Sequence, residues 1–354
     1  MYPSALSSSS SAAARGAALQ PQLHVRWSLR LPVKCKSSSL NARRGQEPRA
    51  TDRHPTPPPL LLLTRRRRST SSSSSTSCSS LPSSLPPAAT DFLSAAFTPF
   101  SPGLQPSLVI NALVFTLGAK VLSAGLTPPA VAASFALGTL TFAAFGWRGY
   151  LLVCGYFVAG SAVTKLKLKQ KQAEGIAEAR GGRRAPGSVV GSGLAGALAS
   201  ATALALSSSS KNEKTTFALC ATAFVASFAS KLADTASSEV GKAYGTNAYL
   251  STTLQKVPRG TEGAVSVEGS AAGLAAAASV SAVAIFIGMI PPKAALAAAL
   301  AAVAANVFES WLGAVAQTGS KNALVNLSND AVNAVQICVA AVLAAAAAKA
   351  FGLV

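Results

Sequence analysis

The apolar positions of this chain gather into long unbroken runs. These cover 105–127, 130–145, 149–164, 188–208, 215–232, 264–290, 294–316 and 331–350. A helix needs roughly 20 mostly apolar residues, range about 17–25, to cross a bilayer. The runs at 130–145 and 149–164 are short, which also suits broken or re-entrant segments held inside a bundle. Between the runs, "TPPA" (Thr127–Ala130) and "IPPK" (Ile290–Lys293) enforce turns through paired prolines. "FGWRGY" (Phe145–Tyr150) supplies a polar break carrying an interfacial Trp and Tyr. The pattern predicts an all-α polytopic membrane protein, a bundle of about eight transmembrane helices. Its helices are dominated by Ala, Gly and Ser, as in "LAGALASATALALSSSS". Lipid tails are as apolar as Leu, so such helices associate by the close approach that small side chains permit. An Ala-rich soluble bundle would need polar faces, and 264–290 has a single charge, Glu268 near one end.

Composition agrees and locates an exception. The 354 residues are 50% hydrophobic and 12% charged, against about 25% charged in a soluble domain. The net charge of +19 divides into +10 over residues 1–100 and +9 over the rest. The first hundred residues are rich in Ser, Arg and Pro and poor in acids, so they bury too little apolar surface to order themselves. They read as a disordered chloroplast transit peptide and linker ahead of a membrane domain at 101–354, with plastid favoured over mitochondrion by the extreme Ser content. "RRRRS" at Arg65–Ser69 has the form of a nucleic-acid patch, but no aromatic-interleaved basic face follows, so no nucleic-acid partner is expected. The five Cys are far apart without a CxxC, which argues against a disulfide framework or zinc site. Both His, His24 and His54, lie in the tail. Mature-chain chemistry must therefore do without histidine.

Counting crossings puts the polar segments on one side. The loop "KLKLKQKQAEGIAEARGGRRAP", with seven Lys/Arg and two Glu, precedes run 188–208. Run 215–232 returns to its side, and the pair 264–290 and 294–316 leaves and returns again. The stretch 233–263, the end of run 294–316 and the start of run 331–350 then share that loop's side. The positive-inside rule makes this side the stroma if the membrane is a plastid envelope.

Ionisable residues at membrane depth are costly and mark function by default. Lys231 and Asp234 fall on one helical stripe, whereas Glu239, five beyond Asp234, reaches the same place only from a neighbouring face or a loosened turn. Glu309 and Asp330 arrive on other helices. Carboxylates Asp234, Glu239, Glu309 and Asp330 converging in this way suit Mg²⁺, a hard ion held by one or two carboxylates together with substrate phosphates. Lys231, Lys242, Lys256 and Arg259 can offset phosphate charge. In "VPRGTEGAVSVEG", Gly260, Thr261 and Gly263 form a turn whose amides could cradle phosphate oxygens. Interhelical polar glue is the plainer explanation of the same residues. "GSGLAG" at Gly191–Gly196 matches GxGxxG formally, but it lies in an apolar run without a preceding strand and reads as helix packing. No P-loop signature occurs.

The motifs "SKLADTASSEVGKAYG", "VPRGTEGAVSVEG", "NVFESWLGAVAQ" and "LSNDAVN" resemble, in matching order, the plant chloroplast phytyl-phosphate kinases of tocopherol synthesis. These belong to a wider family of integral membrane proteins once catalogued as a domain of unknown function. The resemblance runs from about Pro106 to Val354. It implies a multi-pass envelope enzyme, in the inner envelope with its site facing the stroma, that uses Mg²⁺ and a nucleoside triphosphate. The substrate implied is an isoprenoid-phosphate lipid, phytyl phosphate, with a neighbouring phytol kinase as its source. By resemblance, Asp234 and Glu239 match the family's acidic pair, Lys242 its following base, and Gly260, Thr261 and Gly263 its Gly-Thr-x-Gly turn. Asn306, Glu309, Asn329 and Asp330 match later polar positions. Many non-plant members have Asn where Glu262 stands and Asp near Glu309, which leaves a metal role for Glu262 open.

A phosphate monoester acceptor has a second pKa near 6, so it attacks without a general base, which fits a mature chain lacking His. A kinase acting on free phytol would need a carboxylate base such as Glu239 or Glu262. A transporter of an anionic lipid or metabolite could use the same bases and broken helices. All three readings follow from the same residues.

Overall fold

In a computed structural model the described residues are 87–98, 100–206, 213–317 and 326–354. The expected transit segment lies outside them apart from its last residues, of which Pro87–Ala96 form a helix, α1. Further helices are α2 (Leu104–Leu117), α3 (Ala119–Gly125), α4 (Pro128–Thr164), α5 (Leu168–Ala173), α6 (Pro186–Leu206), α7 (Glu213–Tyr244), α8 (Val267–Phe286), α9 (Pro292–Ala316) and α10 (Asn329–Ala350). Six of the described helices are long and apolar enough to cross a membrane, and α2 with α3 form a further apolar pair bent by 77°. The fold is an all-α membrane bundle.

The expected pair of short spans is present inside α4. Gly146, at φ 59° and ψ −155°, leaves the helical region, a conformation open to Gly because it has no Cβ. There the chain folds back on itself. Phe142 and Tyr150 bring their rings to 5.4 Å between centroids, although eight residues of continuous helix would separate them by about 12 Å. Asn111 ties the two arms together, donating to the Phe135 carbonyl and Thr139 and accepting from the Tyr150 hydroxyl at 2.6 Å. Each arm, 128–145 and 147–164, rises about 27 Å, close to the hydrocarbon thickness of a bilayer. With the hairpin counted as two passes and α2–α3 as one, the described residues make eight passes. The bend between α2 and α3, inside what the apolar pattern presents as one run, was not legible in it.

α7 is the hub. Its first half buries Phe224, Val225 and Phe228 completely, and Phe224 stacks between Phe145 and Phe228 at 4.8 and 4.9 Å. Around it α8, α9 and α10 pack through fully buried alanines such as Ala277, Ala298, Ala302 and Ala340, the close approach that small residues allow. At one end of the bundle, Arg148 beside the Gly146 fold donates to the Gly288 carbonyl at 2.8 Å and lies 4.8 Å over the Phe100 ring. This joins the tip of the α4 hairpin to the α8–α9 turn. At the other end stand the α4–α6 loop, the α7–α8 connection and the start of α10.

The α7–α8 connection is not open loop. Strands β1 (Ala248–Leu250), β2 (Lys256–Val257) and β3 (Ala264–Val265) form a small antiparallel sheet in the order β2-β1-β3. Tyr249 pairs with Lys256 on one side and Val265 on the other. The sequence reading missed this sheet.

Candidate active site

α7 continues as regular helix to Tyr244, about three turns past the end of its apolar run at 232. Lys231, Asp234, Glu239 and Lys242 are therefore helical residues. They meet the basic loop, the sheet and the ends of α9 and α10 around a basin of about 820 Å³. Asp234 and Thr235 of α7, Gly260 to Gly263 of the β2–β3 turn, Asn306 and Glu309 of α9, and Asn329 and Asp330 of α10 all line it.

Lys231 ties two walls of the basin together. Lys231, buried, donates to Asp234 one turn along α7 and to the Asn333 side-chain oxygen of α10 at 2.8 Å. Asp234, Tyr156 and Glu309 all act on this ammonium electrostatically. Glu309 in turn interacts with Asp234, Lys231 and Glu262. Asn306 is held by donating to Ser237 at 3.0 Å. Asp330 lies in the first turn of α10 against Gly187 at the start of α6, with Ser328 capping α10.

Glu239 also lines the basin, from a neighbouring face of α7. Five residues turn a helix by about 140° from Asp234, and its carboxylate is buried in an ion pair with Lys171 of α5. Lys171 also donates to the Thr164 carbonyl at 2.9 Å. Lys242 lies 3.7 Å from Glu239 and 3.5 Å from Glu178. The two acids expected as a pair thus face different partners. Among the described residues, no three Asp, Glu, Cys or His side chains stand together as a metal cluster, so the four expected carboxylates do not converge on one point.

The rim carries ion pairs. Arg259 contacts both carboxylate oxygens of Glu174 at 2.7 and 2.8 Å. Gly263, at φ +72°, packs directly against Ala314 of α9, where any Cβ would collide with the helix. Thr261 closes the preceding turn by donating to the Pro258 carbonyl at 2.8 Å, and Ser251 donates to the Ser310 carbonyl of α9 at 2.9 Å. The sheet is thereby docked over the basin. Lys256 does not join it: it is exposed on β2, away from the lining.

The structure adds residues that the sequence reading used only as topogenic charge. Arg183 and Arg184 line the basin. Arg184 donates to the Tyr156 hydroxyl at 2.7 Å with its guanidinium over the ring, and Arg183 donates to the Leu126 carbonyl. Asn333 lies one turn past Asp330, inside the quoted "LSNDAVN". The run "RGGRRAP" immediately before a helix was the available signal for the arginines.

Fold and site together define a polytopic membrane protein with a charged basin at one end of the bundle, lined by acids and bases alike. The chain belongs to the integral membrane protein family DUF92, whose model matches residues 111–341. It is 44% identical over 244 residues to Protein VTE6, chloroplastic, of Arabidopsis thaliana, covering 69% of this chain and 72% of that one. It is 43% identical over 238 residues to an uncharacterized membrane protein, sll0875, of Synechocystis sp., covering 67% of this chain and 88% of that one. No solved structure matches it.

Proposed function

We propose that this chain is a chloroplast membrane enzyme of tocopherol synthesis that transfers a phosphoryl group from a nucleoside triphosphate to phytyl phosphate. The observation that carries the reading is the meeting, in one basin at one end of a membrane bundle, of the Lys231–Asp234 pair with Glu309 and the arginines of the rim. The similarity to a protein named chloroplastic, and an N-terminal composition suited to a cleaved transit segment, support the compartment. In this reading the bundle sits in the inner envelope with the basic loop and basin on the stromal side. A phytol kinase supplies the acceptor.

The donor set fits Mg²⁺. Asp234 and Glu309 would supply hard oxygens from two helices that line the same basin, and Mg²⁺ is held by one or two carboxylates plus substrate phosphates. Bound there, it would neutralise charge on the triphosphate. Asp330 remains in the proposal as a further acid on the opposite wall. Glu239 is assigned to holding α5 rather than metal.

The protein's own work is to bring two anions together. Lys231, Lys242, Arg183 and Arg259 offset the charge of donor and acceptor, the usual task of a phosphoryl-transfer site. The Gly260–Gly263 turn, with Thr261, offers backbone donors to phosphate oxygens, while Asn306 and Asn329 offer side-chain amides. An acceptor phosphate oxygen attacks the terminal phosphorus. The bond from that phosphorus to the bridging oxygen breaks, and nucleoside diphosphate departs carrying the electron pair. The attacking oxygen is already deprotonated, so no base is called for.

The test is mass spectrometry of products after incubating the full-length protein with phytyl phosphate, Mg²⁺ and each nucleoside triphosphate in turn. Phytyl diphosphate with stoichiometric nucleoside diphosphate is expected. Phosphorylation of free phytol instead would make it an alcohol kinase. Movement of the phosphate across proteoliposomes without nucleotide consumption would make it a transporter. Either result overturns the proposal.

A further inference from the structure

The basin also has an apolar side wall. Besides its charged residues, the same cavity is lined by Leu274 of α8 and by Val303 and Val307 of α9. Leu274 is 60% and Val307 66% exposed. Both sit within helices long and apolar enough to span a membrane, so the part of each turned away from the basin would meet lipid. Leu300 and Leu296 continue the same exposed stripe along α9, at 63% and 62%, away from the basin. Asn306 and Glu309 of α9 stand beside Val307 and belong to the polar lining. One opening between α8 and α9 therefore passes within a turn from carboxylate and amide to bilayer.

We infer that this opening is a lateral mouth for a long-chain phosphate monoester. The headgroup reaches Lys231 and Asn306 in the basin while the hydrocarbon chain stays in the membrane along Leu274, Val303, Val307 and Leu300. A lipid phosphate in a bilayer carries its charge at the interface and its chain at depth, and this wall presents those chemistries in that order. The chain never crosses the charged rim, and extracting it into water would forfeit its apolar burial. A second apolar groove, between Leu194 of α6 and Val335, Cys338 and Val342 of α10, is the competing place for the tail. Its lining lacks the charged residues of the basin.

The headgroup part of this inference rests on the phosphoryl-transfer reading, so the test has one arm that does not need turnover. Full-length protein in lipid nanodiscs is photolysed with hexadecyl phosphate bearing a diazirine in its chain, and the adducts are mapped. Adducts on α8 and α9, competed by unlabelled hexadecyl phosphate and lost in Leu274→Trp but not in Val342→Trp, are expected. Adducts on α6 and α10, or adducts that excess unlabelled lipid does not reduce, overturn the mouth. In the kinetic arm, Leu274→Trp should raise KM for a C20 isoprenoid phosphate by about tenfold. KM for a C5 analogue and for the nucleotide should not move. An equal rise for both chain lengths overturns the assignment. Failure of wild type to phosphorylate any isoprenoid phosphate would sink the proposed reaction but leave the photolysis result to decide the mouth.

Discussion

The two halves of α7 are equally buried and chemically opposite. The first presents Phe224, Val225 and Phe228, with no exposed surface, to other aromatic and small side chains. The second presents Lys231, Asp234 and Glu239, nearly as deep, to charged and amide partners on α5, α9 and α10. Burial alone distinguishes nothing here; the partner set does. Both acids of the polar half line the basin, and the same logic separates Glu239, paired with Lys171 of α5, from Asp234, paired with Lys231 of its own helix.

The largest effect should come from unmaking the Glu239–Lys171 pair. Glu239→Ala leaves Lys171 buried without its counterion, which costs about 3–5 kcal/mol. Thermal unfolding in detergent should show a large loss of stability, and Lys171→Met added to it should restore much of the loss. If Glu239→Ala melts like wild type and abolishes only metal-dependent transfer, Glu239 belongs to the site after all. Phe224→Ala, in the apolar half, should cost about 3 kcal/mol through the cavity it opens, while the surviving folded protein keeps its KM values.

Asp234→Asn should do the reverse. Volume is conserved and Lys231 keeps its bond to Asn333, so the protein should accumulate in membranes. Phosphoryl transfer should fall by at least about 100-fold, equivalent to roughly 2.8 kcal/mol. Near wild-type turnover with unchanged Mg²⁺ dependence would move the metal to Glu309 and Asp330. Arg259→Lys, at the half-exposed rim, should reduce transfer about fivefold, since a compact ammonium replaces a planar guanidinium with more donors. Lys256→Gln should leave every kinetic constant within about twofold. A larger loss would mean that β2 turns over to face the nucleotide.

The spans were legible because apolar runs of this length have few alternatives once a bilayer is the solvent. Even the fold at Gly146 was marked by "FGWRGY". The site was legible as a set of residues sharing one face, through the even number of crossings between its segments. What sequence could not supply was which charge meets which. Lys171 and Glu239 are 68 positions apart, and a pairing across that distance leaves no local period. The small sheet escaped because its strands are two or three residues long, too short for alternation to show. The Gly263–Ala314 contact explains a glycine that composition alone read only as a turn.

The clasp between Arg148 and Gly288 ties together two segments 140 positions apart. It links the α4 hairpin to the α8–α9 turn at the end remote from the basin, so any motion that separated the two there would have to break it. A carrier must unlock its two ends in alternation. A carrier mechanism for this chain would have to open that contact once in every cycle.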